Sequence, residues 1–235
     1  MGKAIGNALK KDKSVRIFAV DMDKKEYGEI KNSDFVILSV KPQNAEEAIN
    51  ELKEKGLNKN TVLISIMAGV SIEKIYRLSS HKKILRMMPN LGLSAGYGIA
   101  AWKSSNLSAE EKKKAENFIN KITENFEIKN EDDLNKVTAV SGSGPAYFFL
   151  LAKYLLRTAE DLGLTKEGAK KLVSKTFSAS AVLGKNADYS SLIEKVASKG
   201  GTTEAALKVF EKKKFENMVK EAVRRAYKRA KELSK

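Results

Sequence analysis

Four short runs of aliphatic and β-branched residues within the first ninety positions constrain this chain most: Val15–Val20, Phe35–Val40, Thr61–Met67 and Lys83–Met88. Helical patterns separate them, at Asn44–Lys55 and Ser71–Leu78, and Gly98–Trp102 reads as a further run. Near-continuous apolar strands divided by helices predict a parallel sheet covered on both faces. Each run closes on small or polar residues: Asp21, Lys41-Pro42, Ala68-Gly69 and Pro89-Asn90. In a doubly wound sheet these carboxyl ends line one crevice, which is where ligands bind.

Beyond about residue 105 the texture changes. Ser108-Ala109-Glu110-Glu111 is a capping box that opens a helix running to about Ile122. Phe126–Ile128 reads as a last strand or as a loop, and from Leu134 onward the pattern is helical. Phe215, Met218, Val219, Ala222, Val223, Ala226 and Ala230 step by three and four, an apolar stripe with Lys220, Arg224, Arg225, Lys228 and Arg229 on the other side. The expected fold class is therefore α/β: a Rossmann-like, mostly parallel sheet over residues 1–130, followed by an all-helical domain over 131–235. Ala146–Ala152 is apolar all round its helix. Either a second subunit covers it, the reading preferred here, or it is the central helix of a monomeric bundle.

Two absences restrict the chemistry. The 235 residues include no cysteine, which excludes disulfides, thiolate zinc and a cysteine nucleophile. His81 is the single imidazole, so a Ser-His-Asp triad has one candidate base, and no metal site is expected. Chemistry carried by a bound cofactor fits such a chain better. His81 is expected on a surface loop and Trp102 in the core. The longest apolar run, Ala146–Leu156, is eleven residues broken by Lys153, against roughly 20 for a membrane span. The N-terminus lacks a secretory layout, so a soluble, cytoplasmic protein is expected. The net charge of +15 comes from lysines scattered in twos and threes, mostly beside glutamates and without interleaved aromatics. That pattern favours a solvated surface over specific nucleic-acid binding, with attraction for an anionic small molecule as a third reading.

All three prolines adjoin polar motifs, in SVKPQ, RMMPN and SGSGP. Pro145 suits the first turn of a helix, and Ser141–Gly144 before it form either a close-approach backbone or a plain loop. Ala197-Ser198-Lys199-Gly200-Gly201-Thr202-Thr203-Glu204 leads into a helical run. Two glycines at a helix start with hydroxyls beside them make a site for a carboxylate or phosphate; the alternative is a threonine cap that needs no ligand.

SVKPQ, SIMAGVS, RMMPN, AVSGSGPAYFF and VASKGGTTEAALKVFE, in this order and spacing, resemble the pyrroline-5-carboxylate reductase family over nearly the whole chain. SGSGPAY and the GGTT segment are the family-specific parts; the sheet motifs are shared among dinucleotide reductases. The resemblance implies NAD(P)H-dependent reduction of 1-pyrroline-5-carboxylate to L-proline, by a Rossmann domain and a helical domain that interlocks with a second subunit. By similarity, Gly2, Val40, Lys41, Pro42 and Gln43 belong to the cofactor side, with Ala68-Gly69 and Pro89-Asn90 near the nicotinamide. Ser198, Gly200, Gly201 and Thr202 would hold the substrate carboxylate, and Thr203 would bond the ring nitrogen and deliver its proton. A related imine reductase acting on another carboxylated substrate is one alternative. A non-catalytic dimeric relative that lost cofactor binding is the other.

The sequence departs from the family pattern in several places. Met1-Gly2-Lys3-Ala4-Ile5 resembles the end of the G-x-G-x-x-G turn, so Gly2 matches the third glycine, and the first strand with its two glycines is missing. The expectation is a product that starts roughly ten residues upstream, the length of one strand and its turn. The stretch between Val20 and Phe35 is short. Asp21 there suits a ribose hydroxyl and NADH, whereas Lys24 and Lys25 suit a 2′-phosphate; NADPH is slightly favoured. Lys199 stands where the family commonly has proline, Leu91-Gly92 replace a common Thr-Pro, and the stretch from Lys185 to Tyr189 lacks the family's usual acidic residue and proline, with Asn186 expected near the substrate amine.

Overall fold

The computed structural model describes residues 1–20 and 27–234. They divide into two compact units: Met1–Pro145 with Arg224–Lys235, and Ala146–Val223.

The first unit opens with α1 (Gly2–Leu9), which buries Ile5 and Leu9, one turn apart on a single face. Strand β1 (Phe35–Leu38) follows, then α2 (Ala45–Lys55), which buries Ala45, Ala48, Ile49 and Leu52 at helical spacing and ends on Gly56 in the left-handed region. After β2 (Val62–Ser65) comes α3 (Ile72–Ser79), whose cap Ser71 accepts from the Lys74 N–H at 3.1 Å. Strands β3 (Ile84–Pro89) and β4 (Ile99–Ser105) precede α4 (Ala109–Asn120). The capping box of α4 forms as the sequence predicts: Glu111 N–H reaches Ser108 Oγ and Ser108 N–H reaches Glu111 Oε2. Strand β5 (Glu124–Glu127) and the short α5 (Asp133–Val137) complete the run.

The strands lie side by side in sequence order. β1, β2 and β3 run parallel, with Val36 opposite Leu63 and Ile64 opposite Leu85. β4 is antiparallel to β3, and β5 parallel to β4. One face, with Ile64, Leu85, Met87 and Trp102, packs on Ile5 and Leu9 of α1 and Ala115 and Ile119 of α4. The other, with Leu38, Leu63 and Ile84, packs on Ile49 and Leu52 of α2 and Ile75 of α3. Burial on both faces explains why these strands read as unbroken apolar runs.

Several expectations are corrected. Val15–Val20 forms no regular strand. Val15 and Ile17 do pack on the core, but Phe18 and Val20 are exposed; without a neighbouring strand on the free side of β1 among the described residues, the segment has nothing to ladder with. β1 stops at Leu38, two residues early. The Phe126 region is a strand, not a loop, and joins the free edge of β4. Ser141–Gly144 is not a loop either: Thr138–Gly142 make a π-helical turn that runs into the next helix. His81 is buried, with Nε2 2.7 Å from the Thr61 carbonyl oxygen. Trp102 is core, as expected, and its indole N–H donates to Asn125 Oδ1 at 2.8 Å.

The second unit contains helices alone: α6 (Gly144–Asp161, entering from the first unit), α7 (Lys166–Leu183), α8 (Tyr189–Val196), α9 (Thr202–Lys212) and the first part of α10 (Phe215–Leu233), whose remainder from Arg224 belongs to the first unit. Pro145 takes the second position of α6, where its missing N–H costs nothing. Much of the unit's apolar surface is uncovered: Phe148, Phe149, Leu150, Tyr154 and Leu155 of α6 are all exposed. No helix among the described residues is long and apolar enough to cross a membrane.

Candidate active site

The carboxyl ends of β1, β2 and β3 face the same way because the three strands are parallel. Ser39 and Val40 leave β1, Lys41 stays extended as residues before proline must, and Pro42 opens a 3₁₀ turn through Asn44. Lys41, Pro42 and Gln43 are exposed and Val40 half-buried. The Lys41 ammonium has no ion pair among the described residues. Gly2, at the start of α1, is pressed against this turn: a Cβ there would meet the Ser39 side chain, with the Ser39 Cβ at 3.0 Å. Its smallness serves helix–strand packing. Asp21, Lys24 and Lys25 lie outside the described residues.

After β2 the chain turns through Ala68 and Gly69, the latter at φ +76°. Ala68 packs against the small core cluster of Met88, Ala101, Ile128 and Leu134. β3 ends at Pro89, and Asn90 then uses both ends of its amide: Nδ2 donates to Ser141 Oγ at 3.2 Å and Oδ1 accepts from the Ile99 N–H at 3.3 Å. The RMMPN motif thus fastens the end of β3 to the start of β4 and to the π-helical turn.

The sequence reading passed over an ion pair behind these loops. Arg86 projects from the middle of β3, its side chain 3% exposed, and its Nη1 donates to Glu131 Oε1 at 2.8 Å. The same oxygen accepts the Ile72 N–H at 2.9 Å. A lone arginine inside an otherwise apolar strand was the signal available. Next to it, Asp132 accepts from the Tyr227 hydroxyl at 3.1 Å and lies 3.7 Å from the Lys231 ammonium. The Asn135 amide, then Tyr227 and Lys231, hold the Asp132 carboxyl below its usual range.

In the second unit the segment Ser198–Glu204 forms a tight lead into α9. Gly200 is at φ +74°, and Gly201 takes the cap position with no side-chain cap. The threonine-cap alternative is therefore not what forms. Gly201 N–H donates to the Ser198 carbonyl at 3.0 Å, and Ala205 is the first residue whose N–H finds a helical acceptor, at Gly201. No described residue accepts from the N–H groups of Thr202, Thr203 or Glu204, the open donors of a helix start. The Gly200 N–H, and then the Lys208 ammonium, hold the Glu204 carboxyl below its usual range; Oε2 accepts from Gly200 at 2.6 Å. Ser198, Gly200, Gly201, Thr202 and Thr203 thus belong to the second unit. Gly2, Val40, Lys41, Pro42, Gln43, Ala68, Gly69, Pro89 and Asn90 belong to the first.

Two family models match the chain. Residues 3–69 match one described as NADP oxidoreductase, coenzyme F420-dependent, and residues 131–233 match one described as pyrroline-5-carboxylate reductase dimerisation. With three parallel strands whose carboxyl ends carry the loops, this defines an NAD(P)-dependent oxidoreductase. The pyrroline-5-carboxylate reductase of Aquifex aeolicus is 38% identical over 207 residues, 86% of this chain and 76% of that protein. The crystal structure of the Plasmodium falciparum pyrroline carboxylate reductase with NADP bound matches at TM-score 0.77 and 31% identity, covering 88% of this chain and 79% of the other. That of 1-pyrroline-5-carboxylate reductase from Streptococcus pyogenes matches at TM-score 0.80 and 26% identity, over 98% and 94%. The chain belongs to the pyrroline-5-carboxylate reductase family.

Proposed function

We propose that this chain reduces 1-pyrroline-5-carboxylate to L-proline, with residues 1–130 serving the cofactor and 131–235 serving substrate binding and self-association. The observation that carries the reading is the glycine-led start of α9, where three N–H groups are without acceptors among the described residues. A carboxylate suits such a place through both the open donors and the helix dipole. Ser198, Gly200, Gly201 and Thr202 hold the substrate carboxylate there. Thr203, the second residue of α9, donates to the ring nitrogen.

The residues present fit a dinucleotide: exposed Lys41, Pro42 and Gln43 follow the end of β1, and the ammonium of Lys41 is free of ion pairs among the described residues. Val40–Gln43 face the nucleotide, Gly2 shapes the neighbouring turn, and Ala68, Gly69, Pro89 and Asn90 face the nicotinamide. When bound, reduced nicotinamide supplies a hydride to the imine carbon. The C=N π pair becomes a nitrogen lone pair, which takes one proton, and Thr203 is the group assigned to hold and pass it. The ring nitrogen becomes strongly basic as the hydride arrives, so a hydroxyl donor is enough and a site without histidine or cysteine suffices. The net charge of +15 favours NADPH over NADH, because the extra phosphate is anionic. The protein acts as a cytoplasmic homodimer or larger homo-oligomer. NADPH oxidation followed by absorbance, with and without 1-pyrroline-5-carboxylate, tests the assignment: substrate-dependent oxidation is expected, and its absence in correctly assembled protein overturns it.

A further inference from the structure

We propose that Glu131 is a positioning residue for hydride transfer: through the Ile72 amide and Arg86, it fixes the loop that carries Ala68 and Gly69. The inference rests on the assignment of that loop to the nicotinamide side.

A single oxygen, Glu131 Oε1, accepts two donors, the Ile72 N–H at 2.9 Å and Arg86 Nη1 at 2.8 Å. Ile72 is the first residue of α3, three positions after Gly69. Arg86 lies in the central strand of the sheet and is nearly fully buried, and its Nε and Nη2 have no partner among the described residues. A buried guanidinium so incompletely satisfied is a poor stabilising device, and an apolar residue of similar size generally serves stability as well or better. The ion pair instead defines a geometry. It ties the β2–α3 loop to β3, the strand that ends in Pro89-Asn90, so both nicotinamide-side loops share one reference. The loop is also held at Gly69, which abuts the backbone of Leu233, and the chain around Leu233 is moored by Tyr227 of α10 to Asp132 and by Ser234, just beyond the helix, to Asn135, both near Glu131 in sequence. Rate is sensitive to such placement, because an error of about 1 Å in the bound pair lowers turnover roughly a hundredfold.

The test uses the full chain with Glu131→Ala and Glu131→Gln. In cofactor-free protein, Glu131→Ala is expected to speed hydrogen exchange at the Ile72 amide, a readout independent of turnover. With NADPH deuterated at the transferred position, kcat is expected to fall roughly 10- to 100-fold. The isotope effect on kcat should rise and KM for NADPH increase, while KM for 1-pyrroline-5-carboxylate stays near that of the parent. Glu131→Gln keeps an acceptor for Ile72 and should recover most of each change. A purely structural role would lower the amount of active enzyme and leave the isotope effect and both KM values unmoved, which overturns the proposal, as does unchanged exchange at Ile72. Should Glu131→Ala fail to fold, Glu131→Asp, which keeps the charge but shortens its reach, decides instead: faster exchange at Ile72 with a raised isotope effect or NADPH KM supports the proposal, and parental values for all three overturn it. A parent protein without substrate-dependent NADPH oxidation defeats the reductase assignment instead, and the exchange result still decides whether Glu131 holds the loop.

Discussion

Gly69 and Leu233 meet backbone to backbone: a Cβ built on Gly69 would lie 2.7 Å from the Leu233 carbonyl carbon and 3.0 Å from its Cβ. Glycine is required there twice over, since its φ of +76° costs other residues about 1–2 kcal/mol and no space remains for a side chain. Gly69→Ala should therefore lower the thermal midpoint by more than the conformational term alone. Ending the chain at Glu232 in the Gly69→Ala background should recover the part due to the collision. Calorimetry that finds the two changes simply additive would show that the contact is not the cause.

Thr203→Ala removes the hydroxyl assigned to the ring nitrogen. Turnover should fall by roughly 100-fold, the lower range for losing a positioned proton donor, with the association state unchanged. Steady-state kinetics beside light scattering measure both, and parental kcat would remove the role.

Gly201→Val acts on the carboxylate cradle. A Cβ at Gly201 would sit 2.5 Å from Ser198 Oγ and 3.0 Å from the Ser198 carbonyl oxygen, so the turn must open. KM for the substrate should rise while KM for NADPH holds. Equal shifts in both would point to a general loss of structure.

Phe149→Asp places a charge within the uncovered apolar face of α6, where Phe149 is 58% exposed. Desolvating an unpaired carboxylate opposes burial of that face, so a smaller species is expected in size-exclusion chromatography with light scattering. Retention of the parental mass would locate the self-association surface elsewhere.

Tyr27 gives a pH dependence. Burial first, and then its hydrogen bond to the Glu51 carboxylate, push the phenol up from 10.0 to about 12. The folded state therefore favours the protonated phenol. Its stabilising contribution is full below pH 10.0 and is lost as pH rises through about 12. Thermal midpoints across that range should fall in the parent protein and fall less steeply in Tyr27→Phe.

Much of this fold was legible because local signals agreed with the tertiary result. Ser108 and Glu111 specify their helix start by side-chain chemistry alone, and the strands from Thr61 to Met88 are apolar on both faces because both faces are covered. Val15–Val20 misled for the complementary reason: β-propensity proposes a strand, but a strand exists only where a neighbour supplies hydrogen bonds. His81 gave no sign of burial, since its partner is the Thr61 carbonyl, twenty residues away in sequence. Arg86 and Glu131 were invisible as a pair for the same reason, being 45 positions apart. In the GGTT segment, residue types and order told more than periodicity did, but which residue would cap α9 depended on backbone geometry that only the folded turn displays.

The bare apolar flank of α6 also has a bearing on how this protein must be handled. A helix that finds its cover in another copy makes cohesion a function of dilution, because mass action then enters the unfolding equilibrium. On the self-association proposed above, newly made chains at low abundance would expose that apolar flank until a second copy arrives, and surface exposed in that way favours aggregation.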